Sequence, residues 1–176
     1  MRKNLNQLLL FLILGLAGCV STPSSVDPVG VLLGPKPRFE EMKSFQRIIR
    51  TTVGSADYEK ARIDYLLERL GESPYNFVRN GTVHSNTRAV MHLRWKYMRF
   101  HKEAPTAEAF ADRLASNSKQ TGREYTMRIP PSGEYPLRTV LHNELKLLGQ
   151  GIIEYRDSLK KIEASAETST NSKNPV

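Results

Sequence analysis

Apolar positions recur along this chain at two periods, and the change between them marks the elements. Phe39, Met42, Phe45, Ile48 and Ile49 stand three or four residues apart, as do Tyr58, Ala61, Tyr65, Leu66 and Leu70. Such spacing puts each set on one side of a helix. Gly54-Ser55 separates the two segments, with Asp57 the expected N-cap of the second. Thr106 is the expected cap of a further helix, TAEAFADRLA, that buries Phe110 and Leu114. The longest apolar series runs Leu137, Val140, Leu141, Leu145, Leu148, Ile152, Tyr155, Leu159, Ile162, and the interposed Gly149 and Gly151 predict a bend or weak turn. Elsewhere the period drops to two. Phe77-Val78 and Thr82-Val83 flank Asn80-Gly81, the pair favoured in a two-residue hairpin turn. Tyr125, Met127 and Ile129 share one side of a strand over Glu124–Ile129 that stops at Pro130-Pro131. The predicted class is α+β: a mostly helical single domain with a small antiparallel sheet, a hairpin plus one strand, packed on helices.

The segment Asn86–Lys102 carries a second message. At roughly 100° per residue, Ala89, Val90, Leu93, Tyr97 and Phe100 form one apolar face, and Met91, Trp95 and Met98 form another, nearly opposite. Such a helix is either sandwiched between layers or keeps one face for a partner; the expectation here is the sandwich. Arg88, His92, Lys96 and Arg99 fall on the rim between the faces. Like charges at this spacing repel, which a counter-anion would relieve; the plainer reading is a solvated rim with Glu103 as neighbour. Arg79 in the hairpin can join either arrangement. The loop Ser116–Arg123 offers a second anion cup, through Lys119, Arg123 and the amides around Gly122. Its alternative role is to end a helix and begin a strand, Gly122 supplying a positive φ.

Composition adds bounds. With 39% hydrophobic and 25% charged residues, the 176-residue chain is neither wholly disordered nor a multi-span membrane protein, and it suits one domain. The first residues predict the compartment. Arg2 and Lys3 precede the apolar run Leu8–Gly18, which is short for a membrane span and fits a secretory leader. Leu16-Ala17-Gly18-Cys19 looks like a bacterial lipobox, so residues 1–18 are the expected signal peptide and Cys19 the expected site of lipidation by acyl chains such as palmitate. At roughly 0.8 kcal/mol per buried methylene, several acyl chains hold a protein on a bilayer. Val20, in place of aspartate after the lipidated residue, points to the outer membrane and a periplasm-facing domain. Cys19 is the sole cysteine, which excludes a disulfide. Residues 19–38, rich in Pro, Ser and Gly, read as a tether in which Val31, Leu32 and Leu33 can dock locally; residues 39–163 form the expected folded body; residues 164–176 read as a disordered tail. The net charge of +8 becomes +6 without Arg2 and Lys3, and still favours anionic partners.

The order FVRNG, His84, A-x-x-HLR-x-K (Ala89–Lys96), TAE-x-F (Thr106–Phe110), AS-x-S (Ala115–Ser118) and TG-x-x-Y (Thr121–Tyr125) resembles the YfeK-like family. These are small exported bacterial proteins and lipoproteins that share a domain of unknown function. The resemblance covers residues 58–148 and implies export and a compact domain, with no reaction and no catalytic residue to carry over. The family pattern also implies a cysteine pair, at positions that here hold Tyr75 and Ile129.

The residues themselves suggest no chemistry of bond-making. HExxH, GxSxG, a Walker loop and paired-cysteine metal spacing are all missing from the sequence. His84 and His92 could form half of a metal site, but neither has a carboxylate near in sequence. No cofactor or metal is expected, and the first expectation is a non-catalytic binding domain whose basic rim (Arg79, Arg88, His92, Lys96, Arg99, with Lys119 and Arg123) holds an anionic envelope component, peptidoglycan or lipopolysaccharide phosphate. The alternatives are a structural lipoprotein that docks another envelope protein through its long C-terminal helix, and a small hydrolase or metal-dependent enzyme. Nucleic acid fits poorly, since no alternating aromatic and basic platform is present.

Overall fold

The computed structural model describes residues 30–171, with side-chain surroundings described as far as Ser165. The expected leader, Cys19 and the first part of the tether lie outside the described residues. Five helices and four strands follow one another: α1 Lys43–Ile48, α2 Ala56–Glu72, β1 Asn76–Arg79, β2 Thr82–His84, α3 Asn86–Phe100, α4 Ala107–Ala109, β3 Thr126–Ile129, β4 Gly133–Pro136 and α5 Leu137–Asn171. The sheet is antiparallel in the order β2-β1-β3-β4. The α+β class and the mostly helical make-up are as expected. The sheet gains one strand, because Gly-Glu-Tyr-Pro has the composition of a turn and pairs only through its neighbour β3.

Cross-strand register explains which residues face inward. His84 pairs with Phe77, Phe77 with Met127 and Met127 with Tyr135, so these side chains form one row across the sheet. Phe77, Met127 and Tyr135 in that row are buried. Arg79 lies two residues beyond Phe77 and so shares this inward side. Asn80 and Gly81 turn the hairpin with φ of 55° and 81°, as the Asn-Gly pair predicted. The same registers set Tyr75 opposite Ile129, one step past the Asn76–Arg128 pair. The positions where the resemblance implies paired cysteines are thus neighbours, and here both pack on the core.

Several expectations change. The predicted helix through Phe39–Ile49 breaks at Met42, whose extended φ/ψ separates a 3₁₀ turn, Phe39–Glu41, from α1. Ser55 caps α2, accepting from the Tyr58 N–H at 3.1 Å, and Asp57 sits inside the first turn instead. Thr106 does cap α4, accepting from the Ala109 N–H, but after one turn the helix widens into a π turn over Phe110–Leu114. α5 continues as one helix past both glycines, with no turn between them. At Gly151 the reason is close packing: an added Cβ would stand 2.6 Å from Phe39 Cδ2. The helix also passes Glu163 to end at Asn171, since Ala, Glu and Ser continue a helix readily enough once it is nucleated. A disordered tail beginning at Ala164 is therefore not what the structure has.

The described end of the tether docks at the residues that could do so. Leu33 is fully buried, and its N–H donates to Glu144 Oε1 at 2.7 Å. Glu144, itself buried, also accepts from Tyr65 and from Arg69, whose Nη2 donates onward to Pro35 O at 2.8 Å. Residues 31–35 are thus bound to α2 and α5 rather than extended in solvent, because the backbone there satisfies an ion pair that burial would otherwise leave short of partners.

Candidate functional site

The hairpin and α3 meet at a junction built by local chemistry. Ser85 caps α3 by accepting from the Arg88 N–H. Asn86 Nδ2 donates to Gly71 O and Ser73 O, which fixes the start of α3 to the end of α2. With the helix so placed, a cavity of about 400 Å³ opens between α3 and β1–β2. Phe77, Val78, Leu93, Tyr125 and Leu137 form its buried lining. Arg88, Met91 and Trp95 stand exposed at its mouth, and Arg79, His84 and His92 are half-buried between.

The charge of this lining has one sign. Arg79 and Arg88 contribute cations, and among the described residues no carboxylate lines the cavity. Arg79 Nε is buried with no hydrogen-bond partner among the described residues, an uncommon state for so strong a donor. His92 Nε2 lies 3.1 Å from the Tyr125 hydroxyl. Burial, then the neighbouring Arg79, Lys96 and His84, lower its pKa to about 4, so the imidazole is neutral at pH 7. The His92 ring is nearly parallel to Trp95 (22°, centroids 6.2 Å apart) and edge-on to Tyr125 (75°, 6.0 Å).

Of the seven cations and imidazoles that the sequence offered on the rim and in the loop, the cavity takes three: Arg79, Arg88 and His92. Lys96 turns inward instead. It is buried, donates to Asn117 O at 2.9 Å and lies 5.0 Å over the Tyr125 ring. Burial, followed by Lys119 and Arg79, lowers its pKa to about 8. Lys119 pairs with Glu103 at 2.7 Å and covers the Phe100 ring, so it is neutralised away from the cavity. Arg99 lies along Phe100 and lines no part of the cavity. Arg123 is exposed outside it. In the loop, the Ser118 and Gly122 amides donate to Arg123 O and Ser118 O, so these two donors are already used within the loop itself. Gly122 has the expected positive φ, 70°. His84 and His92 both line the cavity, and among the described residues no three His, Cys, Asp or Glu groups cluster as metal ligands.

Sequence reasoning missed that Trp95 and Tyr125 belong to this cavity. It placed Trp95 on a face to be covered, yet Met91, Trp95 and Met98 are 66, 54 and 71% exposed. Among the described residues nothing covers this face, so the expected sandwich does not form there. Tyr125 was assigned to the sheet, and its alternation with Met127 was the available signal that it faces inward.

A small α+β domain with a cationic, aromatic-walled cavity is what this geometry defines. Residues 57–149 match a family of unknown function, DUF5329, and the chain belongs to that family. The match exceeds the resemblance noted above by one residue at each end. The chain is similar to the uncharacterized protein YfeK of Salmonella typhimurium (strain LT2), 42% identical over 69 residues that cover 39% of this chain. It spans 58% of that relative's length. No solved structure matches the chain. Among the described residues, no helix is long and apolar enough to cross a membrane.

Proposed function

We propose that this protein is a non-catalytic binding lipoprotein of the bacterial envelope. In this reading Cys19 carries the acyl anchor in the outer membrane, and the cavity between α3 and the β1–β2 hairpin receives an anionic group of the envelope. The observation that carries the binding reading is the one-signed lining: two arginines, one with a buried unpartnered Nε, and no carboxylate among the described residues. An anion entering such a site meets, at Arg79 Nε, a donor that has already lost water. A binder is favoured over an enzyme because the lining joins fixed cations to apolar walls, while His92, whose pKa burial lowers to about 4, is engaged with the Tyr125 hydroxyl.

A thermal-shift panel tests this reading. Peptidoglycan fragments, lipid A-type phosphates and short oligonucleotides are each added at low and high salt, with an Arg79→Gln/Arg88→Gln variant beside the parent. Stabilisation by an envelope anion that disappears with salt and in the variant is the expected result. Stabilisation that the variant retains would remove the cavity from the proposal. Association with another envelope protein through α5 is a second reading, favoured by the exposure of Ile153, Leu159 and Ile162. A concentration-dependent complex abolished by Leu159→Glu and Ile162→Glu would support it.

A further inference from the structure

We infer that the α3–hairpin cavity selects amphiphilic anions, ligands that join one carboxylate or phosphate to an apolar body. This rests on the proposed anion site and specifies what that site takes. The cavity is mixed in a particular way. Its charge comes from Arg79 and Arg88, while its buried lining is mostly Phe77, Leu93 and Leu137. Trp95 adds a large ring at the mouth, more than half exposed and aligned with His92. At about 400 Å³ the space suits a small organic molecule and is larger than an inorganic anion needs.

Each half of that lining rejects a different ligand. A sugar phosphate would satisfy the arginines, but beyond them only His84, His92 and the Tyr125 hydroxyl could meet its hydroxyls, and those left against the apolar walls would each cost free energy. A neutral apolar molecule would fill the walls but strip water from two guanidinium groups without replacing the lost interactions. A carboxylate or phosphate on an acyl or aryl body satisfies both. Its head reaches Arg79 and Arg88, and its body covers the exposed ring of Trp95 and removes apolar area from water.

Trp95 is the sole tryptophan of the chain, so its fluorescence reports directly on the cavity. The full chain is titrated with 4-phenylbutyrate, octanoate, the neutral 4-phenylbutyramide and inorganic phosphate. The expected result is a saturable change with one or both amphiphilic anions, at least roughly tenfold tighter than with the amide or with phosphate. The tighter of the two anions identifies an aryl or an acyl source. Arg88→Gln, at an exposed position that does not threaten folding, should weaken both anions and leave the amide unchanged; Lys146→Gln, outside the cavity, should change nothing. Equal binding of amide and carboxylate would overturn the inference, because charge would then be irrelevant. Binding of phosphate as tight as that of the amphiphiles would also overturn it, while leaving the anion site standing. Silence from all four probes would remove both.

Discussion

Lys96 and His92 sit one turn apart on α3, and burial moves both toward the neutral form. For His92 the unfolded chain takes up its proton near pH 6.5 and the folded chain only near pH 4. Between those values the unfolded state binds more protons, so this contribution to stability is complete above pH 6.5 and is lost as pH falls to 4. The groups that face the ring, Arg79, His84, Lys96 and Tyr125, offer no carboxylate to hold the imidazolium. Thermal melts between pH 6.5 and 4 should therefore fall more steeply for the parent than for His92→Gln; parallel slopes would contradict this. Lys96 has the same sign in a higher window. Its proton is lost near pH 8 in the folded chain and near 10.5 in the unfolded one, so folding gains stability as pH rises between them. Lys96→Met should abolish that gain whatever its effect at pH 7, as melts at pH 8 and 10 would show. Helical spacing correctly put Lys96 beside His92. What spacing cannot show is that Asn117, twenty-one residues on, presents a carbonyl that draws the ammonium inward.

At the scale of elements, periodicity recovered what packs locally and missed what long-range contacts decide. α2, the hairpin, β3 and α5 all follow from apolar spacing and turn residues. The two glycines of α5 look alike in sequence, and only the fold separates them. Gly149 has open space around it, whereas the Phe39 ring lies against Gly151. Gly149→Ala should raise stability by about 0.5–1 kcal/mol through helix propensity alone. Gly151→Ala should lower it by about 1–3 kcal/mol despite the same propensity gain, because the methyl has no room. Denaturant melts of the two variants should move in opposite directions; movement in the same direction would mean that Phe39 yields freely. α3 teaches a similar lesson. Its two apolar faces were plain in the sequence, but whether a neighbour covers the second depends on the path of chain more than a helix turn away. Among the described residues none does, and the exposed Trp95 becomes part of the cavity mouth.

At the scale of the molecule, one buried ion pair joins distant parts of the chain. Arg69 on α2 and Glu144 on α5 meet at 3.1 Å, and through them Leu33 and Pro35 are held on the body. Glu144→Ala would leave Arg69 buried without its counter-charge and should cost about 3–5 kcal/mol, measured by urea unfolding; a cost below about 1 kcal/mol would contradict this. Nothing in the local sequence distinguishes Glu144 from the solvated acids of other helices, so this network was illegible before the fold. The cavity was half legible: its arginines and His92 were found by spacing, and its aromatic walls came only with the packing of β3 and α3. Amide chemical-shift mapping of the full chain during a phosphate titration locates the anion site residue by residue, since even weak binding registers. The predicted result is a set of salt-sensitive shifts confined to Val78, Arg79, His84, Arg88 to His92 and Tyr125. Shifts scattered over exposed cations such as Arg138 and Lys146, with the cavity residues unmoved, would contradict it.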